Sequence, residues 1–371
     1  MEGETHLIAQ ISAGLMDEGE FHYRNYAPGF ALARLPGVFV VGASPRHRLI
    51  EELLNAADIA VLHMVYDVEL LPLIEDRRKQ GGVTVYEISD DIDAATGWPP
   101  LDTSFAACRA DMKRLAGACD AMQFPSEFLR DKYAHLNRFS EVFPNQMLIV
   151  PPEKGLRRSS EIVVGWGGSL THLEDLAEIA GPLIRWISSR SDIRLHLMAA
   201  DPIWALFDSL SSDKKKKFET GSILDYYHFL DSLDVGVGPL RDTPFNRART
   251  DIKFLEYAAR CVVAVMQATG PYRESVSQGV NGYLYKNTGE LVDILETVTS
   301  DLRLRVRIAT AARNYVMSER HQFHHAGKRL DFYLKIMGER RIVPGSGLFG
   351  RLSQMKGALV QGRYLMLQPG S

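Results

Sequence analysis

Along most of this chain, short apolar runs alternate with longer stretches whose apolar residues recur every three or four positions. The compact runs "GVFVVGA" (Gly37–Ala43), "DIAVLHM" (Asp58–Met64), "VTVYEIS" (Val83–Ser89) and "DAMQFPS" (Asp120–Ser126) have strand length and β-branched content. Between and after them lie "RHRLIEELLNA", "DVELLPLIEDRRKQGG", "LDTSFAACRADMKRLAGAC" and "EFLRDKYAHL", which carry helical periodicity; Asp102 or Thr103 is a natural cap for the third. Strand and helix in alternation predict βαβ units and a parallel sheet.

At Val142–Pro152 the pattern breaks. "VFPNQMLIVPP" is extended and punctuated by proline, and the polar "EKGLRRSS" follows it. A second series then begins: "EIVVGWGGS" (Glu161–Ser169), "DIRLHLMAA" (Asp192–Ala200), "DVGVGPL" (Asp234–Leu240), "CVVAVMQATG" (Cys261–Gly270) and "GYLYKN" (Gly282–Asn287). Helical sequence separates these runs, and more of it, from Leu302 to about Met337, closes the series. The expected organisation is α/β, with two Rossmann-like domains facing a central cleft. Residues 1–150 form an N-terminal domain, 151–337 a C-terminal domain with closing helices, and 338–371 a basic tail. A length of 371 residues, more than one core comfortably fills, agrees with two domains.

Composition narrows the function. A net charge of −3 argues against a nucleic-acid partner, which usually meets a basic face. Cys108, Cys119 and Cys261 are too scattered for a metal frame and read as incidental thiols of a reducing compartment. The start "MEGETHLIAQ" lacks the pattern of a signal peptide, and no apolar run reaches spanning length, so a cytoplasmic location is expected. The tail modifies that picture. It has no acidic residue from Ile342 to Ser371, and Leu348, Leu352, Met355 and Leu359 form one helical stripe beside Arg351, Lys356 and Arg363. Such a helix can lie on the anionic inner face of a membrane. The alternatives are a stripe packed on the first domain or a glycine-broken loose tail.

Two stretches carry candidate chemistry. In "VVGWGGSLTHLEDL", a strand runs through Gly167 and Gly168 into a helix start. The glycines allow close backbone approach, the helix start offers N–H groups to an anion, Ser169 and Thr171 add hydroxyls, and His172 can reach the same ligand. A plain βα turn capped by Ser169 or Thr171 is the alternative. The turn fits neither the P-loop nor the dinucleotide fingerprint, yet it can cradle a diphosphate. In "PLRDTPFNRARTDIKFLEYAA", Lys253 and Glu256 share a helix face, with Asn246, Arg249 and Asp251 close by in sequence. The stretch follows a strand end, where α/β sheets bind ligands. A lysine there can neutralise phosphate, and a carboxylate can accept ribose hydroxyls. A surface Lys–Glu pair is the competing reading.

This stretch, with "CVVAVMQATGPYRESVSQGVNGYLY" after it, resembles the nucleotide-sugar-binding domain of GT-B glycosyltransferases of the retaining, family-4-like group. Glu256 in "EYAARCVVAV" matches the glutamate that holds the donor ribose in that group. "GPYRESVSQGVNGYLY" is similar to the segment that follows it there, "VVGWGGSLTHLEDL" to the diphosphate-facing turn, and "VFPNQM" to the end of the first domain. The likeness spans most of Val142–Arg313. It departs at Ala248, where the group usually carries a further glutamate near the sugar, and at Arg260–Cys261, where it has glycine. The resemblance implies transfer of a sugar from a nucleoside diphosphate to an acceptor hydroxyl of a glycan, lipid-linked or small-molecule substrate. No cofactor or metal beyond the nucleotide-sugar co-substrate is expected. The donor-binding set is Gly167, Gly168, Ser169, His172, Arg249, Lys253 and Glu256. With Ala248 in the glutamate's place, Asn246 and Asp251 stand nearest the sugar in sequence. A non-catalytic module of the same shape and a nucleotide-sugar epimerase are the competing classes.

In the first domain "YEISDDID" (Tyr86–Asp93) ends a strand with three aspartates. Asp90 and Asp91 stand where related enzymes often place a histidine near the acceptor, which makes Asp90 a catalytic candidate. A divalent-cation site and a solvated, helix-capping turn are the other readings. "RHQFHH" (Arg320–His325) reads as a polar helix face and "SSDKKKKFE" (Ser211–Glu219) as an exposed helix start.

Overall fold

The computed structural model describes residues 5–13, 19–94, 103–152, 161–338 and 363–367. The chain divides into two compact units, Met1–Leu148 with Gln322–Ser371, and Ile149–His321.

The first unit is built on a parallel sheet of β1 (His6–Ser12), β2 (Val38–Ala43), β3 (Ile59–His63), β4 (Val83–Glu87), β5 (Ala121–Phe124), β6 (Ser140–Val142) and a late strand, Tyr364–Met366, in the order late strand, β2, β1, β3, β4, β5, β6. Ile8 lies between Val40 and Ile59 in register. Helices cover both faces of such a sheet, so its strands are apolar on both sides and read as continuous runs. Order reverses between β1 and β3, the point beyond whose carboxyl ends α/β sheets place ligands.

The helix Gln322–Gly338 belongs to this unit, where the sequence reading gave it to the second domain. Tyr333 and Ile336 pack with Ile8, Val40 and Val61, and the Tyr333 hydroxyl donates to Gln123 at 2.9 Å. The preceding helix, Leu302–Glu319, does close the second unit, through Ile308 and Ala309. The tail stripe Leu348–Leu359 lies outside the described residues.

The second unit holds six parallel strands: β7 (Ile162–Gly167), β8 (Ile193–Met198), β9 (Lys215–Phe218), β10 (Val235–Gly238), β11 (Val263–Gln267) and β12 (Tyr283–Tyr285), in the order β12–β11–β10–β7–β8–β9. Its switch point lies between β7 and β10. The lysine run expected to start a helix is instead the edge strand β9, preceded by a short turn at Ser212–Lys214. Lysines on an edge strand discourage pairing with another chain.

Gly236 of β10 decides where the site helix lies. A side chain there would meet the Tyr257 ring at 2.5 Å, so the helix Ile252–Ala259 settles directly on the sheet. The Tyr257 hydroxyl donates to the Val237 carbonyl at 3.0 Å and fixes the helix along its axis. Its carboxyl end turns at Cys261, whose φ of +54° is the left-handed conformation usual for glycine after a helix.

Candidate functional site

The carboxyl ends of β7 and β10 bring together the two stretches that stood out in the sequence. β7 ends at Gly167, a single turn spans Leu170–His172, and the helix Leu173–Ser188 follows. A Cβ at Gly168 would lie 2.7 Å from the Trp166 indole, and one at Gly167 2.9 Å from the Tyr226 ring, so only glycine lets the chain pass here.

Lys253 reaches this turn from the facing helix. Its ammonium donates to the Gly167 carbonyl at 2.6 Å and to the Tyr226 hydroxyl at 3.4 Å, and sits 5.2 Å from the Trp166 ring centroid. Burial pulls its pKa below the ordinary lysine value; Glu256 opposes that shift and Arg249 adds to it. Glu256 is itself buried and accepts a hydrogen bond from the Tyr226 hydroxyl at 2.9 Å. Burial and Glu256 together hold the Tyr226 phenol well above its usual range, so it stays a proton donor.

Arg249 completes the cationic side. Its guanidinium stacks 4.5 Å from the Phe245 ring centroid and donates to the Thr171 hydroxyl at 3.3 Å. The Ser169 and Thr171 hydroxyls are 2.8 Å apart, and Ser169 is exposed. His172 pairs with Asp175 at 2.8 Å and meets Trp166 edge-on at 5.8 Å. The buried Asp175 also accepts from the Arg241 backbone N–H and from the Asn246 amide, each at 2.9 Å. Asp175 therefore ties the turn after β7 to the loop after β10 across the switch point.

Asn246 and Asp251 are placed differently from what their spacing suggested. The Asn246 amide is shared between Asp175 and the Arg241 carbonyl, the latter at 3.0 Å. Asp251 receives both arms of Arg320, at 2.6 and 2.9 Å, together with the Ser275 hydroxyl. Both are internal braces of the unit. Sequence reasoning missed Asp175 and Tyr226. Asp175 lies three residues beyond His172 at a helix start, a spacing that could have flagged it; nothing local marks Tyr226.

In the first unit the aspartate run is largely engaged in its own turn. Asp90 is half-buried and accepts from the Asp91 N–H at 3.2 Å. Asp91 accepts from Lys132 at 2.6 Å, from the Tyr133 hydroxyl at 2.7 Å and from the Ala94 N–H at 3.1 Å. Although burial alone would raise its pKa, these bonds hold it below the usual carboxylate range. Asp93 pairs with Lys113 at 2.8 Å. Among the described residues, no three His, Cys, Asp or Glu side chains converge as a metal site. Sequence reading also passed over His63 at the end of β3. The Ser12 hydroxyl lies 3.0 Å from its Nδ1 and the Ser89 hydroxyl 2.9 Å from its Nε2, and the next residue, Met64, has a φ of +52°.

No protein-family model matches this chain, and no curated protein does. Solved structures do. HepE of Anabaena, determined in complex with UDP-glucose, superposes with a TM-score of 0.64 at 13% identity, over 88% of this chain and 99% of that one. A glycosyltransferase from Rickettsia africae gives 0.64 at 13%, over 91% and 100%. Sucrose-phosphate synthase from Thermosynechococcus elongatus gives 0.64 at 13%, over 90% and 100%. At such identity the likeness is one of fold: the chain has the two-domain, Rossmann-like GT-B fold. Among the described residues, no helix is long and apolar enough to cross a membrane.

Proposed function

We propose that this chain is a glycosyltransferase that moves a sugar, with retained configuration, from a nucleoside diphosphate to an acceptor hydroxyl. The observation that carries the reading is the group Lys253, Glu256 and Tyr226 under the Gly167–Gly168 turn, at the switch point of the second sheet. Lys253 and Arg249 neutralise the diphosphate, and the backbone at the start of the Leu173–Ser188 helix adds N–H donors and a positive dipole end. Glu256 accepts the ribose hydroxyls, with Tyr226 holding the carboxylate in place. As the bond to the sugar breaks, charge grows on the leaving diphosphate, and fixed donors aimed at that charge lower the barrier. Asn246 and Asp251 serve as braces of this site. Asp90 and His63 stand on the acceptor side, whose substrate is a glycan, a lipid-linked sugar or a small alcohol. HepE, solved with UDP-glucose, makes a UDP-hexose the first donor to try.

A thermal-shift screen of UDP, ADP, GDP, dTDP and their hexose esters tests the reading. A ligand at a hundred times its Kd stabilises the native state by about 2.7 kcal/mol, a rise of several degrees. The proposal expects one nucleotide series to give that rise and the Lys253→Ala variant to lose it. A flat response to every nucleotide overturns it.

A further inference from the structure

His172 stands between unlike charges. On the helix that follows it, Asp175 holds its Nδ1, and Glu174 is paired outward with Arg241 at 2.7 Å. From the facing stretch come Arg249, bound to the neighbouring Thr171, and Lys253, with Glu256 behind it. Trp166 covers one edge of the ring.

Asp175 is an acceptor whose two oxygens are both in use. One takes Nδ1 of His172, the other the Arg241 N–H and the Asn246 amide. With Asp175 as the acceptor, the proton between it and the imidazole sits on Nδ1. In a neutral ring Nε2 then carries only a lone pair, which repels an incoming phosphate.

We propose that His172 is the proton-carrying ligand of the diphosphate: Asp175 holds Nδ1–H, and Nε2 takes a proton from solvent as the diphosphate binds and donates it in a hydrogen bond to a phosphate oxygen. This rests on the donor-binding reading above. In the free protein, burial keeps the ring neutral at pH 7; Asp175 opposes that, while Arg249 and Lys253 reinforce it. A diphosphate brings negative charge to the same cations and cancels their effect on the ring. The balance then passes to Asp175 and the ligand, and both favour imidazolium. The charged ring adds a charge-assisted bond where the leaving group gathers charge.

The test is calorimetry of UDP, ADP, GDP and dTDP with the full chain at pH 7.5, in phosphate and in Tris, whose heats of ionisation differ. At that pH the free nucleotides carry nearly their full charge. Whichever nucleotide binds should draw most of one proton per site from the buffer. His172→Asn should bind it roughly tenfold or more weakly and draw none. Asp175→Asn should draw less than the wild type. If it does not fold, His172→Asn decides alone, with an unchanged melting temperature as its control. Binding without proton uptake, or equal uptake in His172→Asn, overturns the role of His172. If no nucleotide binds the wild type at all, the donor reading itself fails.

Discussion

Replacing Glu256 by glutamine removes a charge and keeps a shape. In the wild type the buried carboxylate accepts the Tyr226 hydroxyl at 2.9 Å. The glutamine carbonyl can still accept that hydroxyl, so the helix Ile252–Ala259 keeps its seat and the fold should survive. The variant loses the strengthening that a full negative charge gives to hydrogen bonds from ribose hydroxyls. Bonds to charged groups contribute about 1.5–3 kcal/mol, and each ~1.4 kcal/mol is tenfold in affinity. Nucleotide Kd should therefore rise roughly ten- to a hundredfold. Ribose is held alike in ground and transition states, so KM should carry most of the loss and kcat little. Calorimetry with the nucleotide found by the thermal-shift screen measures this directly. A Kd within twofold of wild type, in a variant that melts normally, removes Glu256 from the site.

Two further outcomes follow from the same geometry, and a third from the sequence of the tail. Breaking the buried Asp251–Arg320 pair by Arg320→Met strands a carboxylate and should destabilise the protein by about 3–5 kcal/mol. Well below its lowered melting temperature, the variant should bind nucleotide within a few-fold of wild type; a hundredfold loss would return Asp251 to direct contact with ligand. Cys261→Gly should stabilise by about 1 kcal/mol, because the position already has the backbone conformation that glycine adopts without strain; a lower melting temperature contradicts that. The membrane reading of the tail requires full-length protein to float with anionic vesicles, lose this at high salt, and lose it on truncation after Arg341. Equal sedimentation of both forms would rule the membrane reading out.

Strands bounded by turn residues and made of consecutive β-branched side chains, such as Val38–Ala43 and Ile162–Gly167, were legible because a buried parallel strand has no polar face to disguise it. Strand β1 was not. His6, Gln10 and Ser12 interrupt its apolar run, yet all seven of its residues are buried between β2 and β3. Strand β9 was hidden by its lysines, which suit an edge. The late strand Tyr364–Met366 takes its identity from pairing with Val40–Gly42, contacts that no local pattern encodes. The same division runs through the site. Lys253 and Glu256 share one helix face, so their spacing exposed them. Asp175 and Tyr226 matter through partners on distant segments, and only the fold brings those together. Asp251 is the converse case: its neighbours in sequence are the candidate site residues, while its partner Arg320 lies at the far end of the unit.

Donor turnover is the direct readout of the proposed sugar transfer from a nucleotide held by the second unit. Water can take the place of the acceptor hydroxyl in such a transfer, so no acceptor needs to be known. Steady release of nucleoside diphosphate, with free sugar, is expected from one nucleotide-hexose incubated with the full chain. Lys253→Ala should lose release nearly completely, and Glu256→Gln should lose much less at saturating donor. If that donor binds tightly and remains intact, the chain is a binding module and the claim of transfer fails. If release persists unchanged in Lys253→Ala, the chemistry lies elsewhere in the molecule.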